Sequence, residues 1–160
     1  MATTAERTHG AHTLMARSAS IDSVRENTPS TVELRVRADA DQLSVLRAVA
    51  AAIALRQDFD LDTVEDVKLA VDEAATRLIT DSATTSTLSC IFETTPGELS
   101  IILSAPTRGD IAADRSRSFG WHVLEALTDS VSVSSDADSD GDGGTVATIA
   151  LTLSEGSSAR

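Results

Sequence analysis

Cysteine occurs once in the 160 residues, at Cys90. A single thiol cannot build a disulfide framework, and a thiolate metal cluster needs several. Aromatic side chains make up only 2% of the chain, so a core has to be assembled from Ala, Val, Leu and Ile. Basic residues number 13 against 25 acidic ones, for a net charge of −12. Phosphate backbones repel such a surface, which argues against direct binding of nucleic acid, whereas a basic protein surface complements it. No apolar run approaches the roughly 18 to 20 residues that span a bilayer, and the first residues lack the apolar segment of a signal peptide. A soluble, cytoplasmic protein without membrane contact is expected, and the length suits one domain.

Residues 1–30 are rich in Thr, Ser, Ala, Arg and His, with neither a helical nor an alternating pattern, and read as a disordered tail. His9 and His12 fall in it without a further ligand, so no metal site is expected there. An ordered domain is expected over 31–153, with a polar tail over 154–160. Its first strand is Thr31 to Arg37, where Val32, Leu34 and Val36 alternate with polar residues. Asp39 or Asp41 then caps a helix carrying Leu43, Leu46, Val49 and Ile53 and ending near Gln57, and Asp60 to Asp62 caps a second helix. Leu88 to Thr94 and Glu98 to Ser104 read as a hairpin across a Pro96-Gly97 turn. A loop from Ala105 to Arg117 leads to a helix marked by Phe119, Val123, Leu124 and Leu127. Two more strands follow, Ser130 to Ser134 and about Thr145 to Leu153. The order strand, helix, helix, hairpin, helix, hairpin predicts an α+β, two-layer sandwich: a mostly antiparallel, mixed sheet with helices on one face.

The second helix carries the most informative pattern. Val67, Val71, Ala74 and Leu78 form one apolar stripe, while Glu73, Thr76, Arg77 and Thr80 share the same spacing on a polar face. Spacing alone leaves two readings open. The face either meets a ligand or simply meets water, in the latter case with a Glu73 to Arg77 pair contributing a few tenths of a kcal/mol.

The block Asp72-Glu73-Ala74-Ala75-Thr76-Arg77-Leu78-Ile79 resembles the first ATP-site helix of the bacterial anti-sigma factor and serine-kinase family of RsbW type, within the GHKL (Bergerat-fold) ATPases. The family motif reads approximately Ser-Glu-Ala-Val-Thr-Asn-Ala-Ile. The resemblance implies that Glu73 stands where the general base for phosphoryl transfer stands, with Thr76 and Arg77 beside the nucleotide. Arg77 replaces the family's magnesium-binding Asn, and a guanidinium, which has only donors and a fixed positive charge, cannot ligate a cation.

The family's second motif, Asp-x-Gly-x-Gly, corresponds here to Ser104-Ala105-Pro106-Thr107-Arg108-Gly109-Asp110. Asp110 is a displaced candidate for the adenine acceptor, although a Gly-Asp pair in a loop is also ordinary turn chemistry. The glycine-rich lid corresponds to Ser116 through Leu124, where Gly120 alone survives between Phe119 and Trp121. Those two aromatics read as core or interface anchors. Arg115 and Arg117 could draw an anion, and His122, without triad partners, reads as a satisfied structural imidazole. Further on, Asp136, Asp138, Asp140 and Gly141 match the opening of an EF-hand loop, but Ala147 occupies the twelfth position, so the segment reads as an acidic hairpin loop.

The resemblance covers residues 31–153 and implies an anti-sigma factor that sequesters a sigma factor of sigma-F or sigma-B type as a homodimer. An anti-anti-sigma protein of STAS type would control it. Phe119-Gly120-Trp121-His122 is similar to the Phe-x-Trp-His segment of the actinobacterial anti-sigma-F branch. By the same analogy the first helix, with Arg47 and Arg56, is a candidate partner surface. Two alternatives stand beside this reading: an ATP- and magnesium-dependent serine kinase acting on the anti-anti-sigma protein, against which the altered motifs weigh, and a dimerising scaffold with neither role.

Overall fold

Alternation of apolar and polar residues shapes five strands: β1 (Ser30–Arg37), β2 (Thr87–Thr95), β3 (Glu98–Thr107), β4 (Ser130–Ala137) and β5 (Thr145–Ser154). Three α-helices accompany them among the described residues: α1 (Leu43–Arg56), α2 (Leu61–Asp81) and α3 (Phe119–Leu127). The structure, a computed structural model, describes residues 29–83, 85–113, 119–137 and 144–156. The sheet order is β1-β2-β3-β5-β4, and the α+β sandwich is as the sequence predicts. All four ladders are antiparallel, so the sheet has no mixed component.

The register sorts the side chains into two faces. Leu34, Cys90, Leu103, Ile149 and Val133 lie across the strands in one row, and Val32, Phe92, Ile101, Leu151 and Val131 in the next. The members of these rows on β2, β3 and β5 are buried, while those on the edge strands β1 and β4 are partly covered. The opposite face presents Ile91, Ile102, Ala150 and Ser132 in one row and Ser89, Ser104, Thr148 and Ser134 in another, none of them buried. This is the pattern of an antiparallel sheet covered on one side only. Cys90 lies within the core, and burial pushes its thiol up to about 12, so it behaves as a small hydrophobe.

Local chemistry sets the helix ends. Asp39 caps a 3-10 turn (Ala40–Gln42) that leads into α1, its carboxylate accepting from the Asp41 N–H. At the far end of α1, Asp58 adopts the left-handed conformation (φ 58°), and the Phe59 N–H returns to the Ala54 carbonyl. Asp60 then caps α2, Oδ1 accepting from the Thr63 N–H at 2.7 Å. α2 buries Val64, Val67, Ala70, Val71, Ala74, Ala75 and Leu78, and α1 adds Leu46, Ala50, Ile53 and Ala54. Alanines on both helices permit close packing with few aromatic residues.

Two expectations need correction. Residues 105–107, expected in a loop, extend β3 in register with Ala147, Val146 and Thr145. Pro106 is tolerated because the pairing of β3 with β2 has already ended at Ser104, which leaves that flank open. Phe119 is not a core anchor: it is 82% exposed, whereas Trp121 is 2% exposed. The nine residues of α3 supply only two buried side chains, Trp121 and Leu124, because only one stripe of so short a helix meets the core. The expected tails over 1–28 and 157–160, His9 and His12 with them, lie outside the described residues.

Phe92→Ala, which removes a wholly buried ring, should cost about 3–5 kcal/mol in urea unfolding, while Phe119→Ala should stay within about 0.5 kcal/mol of the parent. Asp60 gives a pH signature. The Thr63 N–H above all, with the Thr63 hydroxyl near without full hydrogen-bond geometry, and then the Asp62 N–H, hold its carboxyl below the ordinary 3.8. A depressed folded pKa stabilises fully above the unfolded value, and this contribution is lost as pH falls through the folded value. The parent should therefore melt above Asp60→Asn near neutral pH, with the gap closing below pH 3.8 in a thermal series.

Candidate functional site

With one stripe of α2 buried on the sheet, its neighbouring positions point sideways at α1 and α3 and outward at solvent. Asp72 takes the α1 side, where its Oδ1 receives the Arg47 guanidinium at 2.7 Å, with side chains 32% and 42% exposed. A pair this exposed contributes on the order of 1 kcal/mol or less, and its effect is chiefly to orient Arg47. Glu73, the next residue, is half-buried and meets the first turn of α3. Thr76 is exposed, and its carbonyl accepts from the Thr80 hydroxyl at 2.8 Å. Arg77 is half-buried on the same face.

Gly120 lies against the Glu73 carboxylate. A Cβ added at residue 120 would overlap Glu73 Oε1 and stand 2.7 Å from Cδ, so a side chain there would require the Glu73 carboxylate or α3 to shift. Beside it, the buried Trp121 donates from Nε1 to Glu125 Oε1 at 2.9 Å. His122 is exposed on the outer side of α3, with Nδ1 3.5 Å from Glu125 Oε2. Its position follows from the helix: Trp121 and Leu124 take the buried stripe and leave residue 122 outside.

The end of β3 is tied to the end of α2. Ser82 bridges to Thr107, the Arg108 N–H donates to the Asp81 carbonyl at 2.9 Å, and Arg108 Nη2 donates to the Ser82 carbonyl at 2.8 Å. Arg108 thus satisfies carbonyls at the helix C-terminus, where a cation is favoured. Asp110 is exposed and closes a local turn: its Oδ1 accepts from the Ala112 N–H at 2.9 Å. Its carboxyl sits below the usual range because of the Ser135 hydroxyl, which lies near without reaching full hydrogen-bond geometry, and the N–H groups of Ala112 and Ala113.

The structure therefore brings Glu73 and Gly120 into contact, leaves Arg77 on the same face, and holds Asp110 in a turn at the end of β3. These residues do not fit a magnesium nucleotide. Arg77 offers donors where the ion needs oxygen, and Glu73 rests against the first turn of α3. Arg115, Arg117, Asp138, Asp140 and Gly141 lie outside the described residues. Sequence reasoning overlooked the Arg47–Asp72 pair and the Arg108 cap. A carboxylate directly before Glu73, one residue round the helix toward α1, was the available signal for the first.

Comparison with known proteins supplies the family. Residues 36–150 match the histidine kinase-like ATPase domain. The anti-sigma-F factor RsbW of Mycobacterium tuberculosis is 36% identical over 137 residues, 85% of this chain and 80% of that protein. The serine-protein kinase RsbW of Bacillus cereus is 28% identical over 97 residues, covering 59% of this chain and 55% of that one. In backbone, a chain of the SiaB–SiaC complex from Pseudomonas aeruginosa superimposes with a TM-score of 0.57 over 90% of this chain and all of its own, at 10% identity, a likeness of fold alone. A domain match over most of the length, joined to this similarity to the mycobacterial protein, means that the chain belongs to the histidine kinase-like ATPase family, in its RsbW branch.

Proposed function

We propose that this protein is an anti-sigma factor, which binds and sequesters an RNA polymerase sigma factor in the cytoplasm and is itself displaced by an anti-anti-sigma protein of STAS type. The observation that carries the reading is the 36% identity to the mycobacterial anti-sigma-F factor across 85% of the chain. The site chemistry points the same way. Phosphoryl transfer works by positioning and by metal-assisted charge stabilisation, and Arg77 and the engaged Glu73 remove what that needs. Capture of a protein needs neither. A net charge of −12 complements the basic, DNA-facing surfaces of a sigma factor and would steer the encounter. A homodimer gripping one sigma factor is part of the reading.

A second reading, an ATP-dependent serine kinase, is favoured by the similarity to a relative named as a kinase, together with the resemblance that sets Glu73 at the family's base position. In that reading Thr76, Arg77, Asp110 and Gly120 border the nucleotide, and Arg77 takes over part of the metal's charge at the γ-phosphate.

The two readings separate in one preparation. Sigma factor should co-purify with the chain and stay bound after ATP is removed and magnesium chelated; loss of the complex on chelation would overturn metal-independent capture. Transfer of label from γ-phosphate to a serine of the anti-anti-sigma protein, abolished by Glu73→Ala, would establish the kinase. Arg77→Asn restores a neutral amide oxygen and should tighten Mg·ADP binding in calorimetry; unchanged affinity would remove Arg77 from the pocket.

A further inference from the structure

The first turn of α3 sends three consecutive residues in three directions. Phe119 stands 82% exposed, Gly120 rests on the Glu73 carboxylate, and Trp121 is 2% exposed with Nε1 held by Glu125. Trp121 is the only tryptophan in the chain. Its burial and the Gly120–Glu73 contact lie on adjacent residues of one helix, so a movement of α3 that frees the carboxylate also moves the indole.

We propose that α3 is a latch closed on Glu73, an autoinhibitory contact in which the helix occupies the carboxylate and opens only by lifting from α2 with Trp121. The inference rests on the reading of α2 as the site helix, and it goes beyond that reading by assigning the closed state to one contact. Two features support a seated contact over a casual one. Glu73 is half-buried, so its carboxylate is hemmed by neighbouring structure. The approach is closer than a side chain at residue 120 would permit without a shift of the carboxylate or of α3. While the latch is shut, Gly120 covers the approach to Glu73 Oε1, which hinders an incoming hydroxyl from handing its proton to that oxygen. The residue that the family uses as a base serves here as the catch.

Glu73 ends in a flexible side chain, and this sets what must be tested. If the carboxylate is merely resting on Gly120, a methyl group at residue 120 displaces it and α3 stays put. A seated carboxylate instead forces the helix to yield. Acrylamide quenching of Trp121 distinguishes the cases in four proteins: the parent, Gly120→Ala, Glu73→Ala, and the double variant. Closure predicts a several-fold rise in the quenching constant for Gly120→Ala, with a red-shifted emission maximum. It predicts a return toward the parent value in the double variant, where the shortened side chain at position 73 leaves room for the new methyl group, the non-additivity expected of residues in contact. Parent-like quenching in Gly120→Ala overturns the latch, as does a double variant as exposed as Gly120→Ala. Circular dichroism covers global unfolding: if Gly120→Ala does not fold, refolding of the double variant supports the contact and its failure to refold overturns it. No sigma factor or nucleotide enters the measurement, so the latch can fail while the proposed capture stands, and the reverse.

Discussion

Because Val67, Ala70, Val71, Ala74, Ala75 and Leu78 are all wholly buried, α2 cannot turn about its axis by even one residue, about 100°, without driving charge into the core. That single packing stripe decides where every polar residue of the helix points. Asp72 is committed to α1 and Glu73 to α3, while Thr76 and Thr80 are left to solvent. The site is thus a consequence of the core, and its geometry is as rigid as the alanine-lined contact behind it. A core richer in aromatics would hold the helices further away, and both the Arg47–Asp72 pair and the Gly120–Glu73 contact depend on short separations.

The same economy of side-chain volume shapes the sheet. Covered on one face only, it needs apolar residues at alternate positions, and β5 shows this plainly: Ala147, Ile149, Leu151 and Leu153 point inward, while Thr148, Ala150 and Thr152 point out. Insertion of β5 between β3 and β4 pairs it on both flanks. The β3 end is held against the C-terminus of α2 by Arg108, so the loop that follows, with Asp110, is anchored to the same helix that carries Glu73.

The strands and long helices were legible because their signals are local and periodic. Val32, Leu34 and Val36 alternate, Asp60 caps, and Pro96-Gly97 turns with Gly97 at φ 74°. The errors fall where the decisive fact is tertiary. Residues 105–107 read as loop in the sequence, and that they continue β3 depends on their pairing with the distant β5. Of core or interface, the two places open to Phe119 in the sequence, the core is excluded because the stripe of Trp121 and Leu124 turns it outward. Within the site, the motif gave Glu73 and Gly120 separate roles. That the two touch depends on how α3 docks, which no spacing in the sequence encodes.

A family site can lose its reaction and keep its shape because the two have different tolerances. Phosphoryl transfer fails when one metal ligand becomes a cation, since the ion must be held by oxygen and the reacting groups aligned. Protein capture is spread over a surface, and a few central contacts carry most of its free energy while the rest tolerate change. On the proposed reading, Arg77 in place of the family's Asn works against the first property and leaves the packing stripe of α2 intact. An arginine half-buried next to Glu73's helical turn, in a chain this acidic, is better matched to an anionic or carboxylate neighbour than to a cation. Both readings depend on the packing that holds the helical layer in place, because it fixes what Asp72, Glu73 and Arg108 can reach.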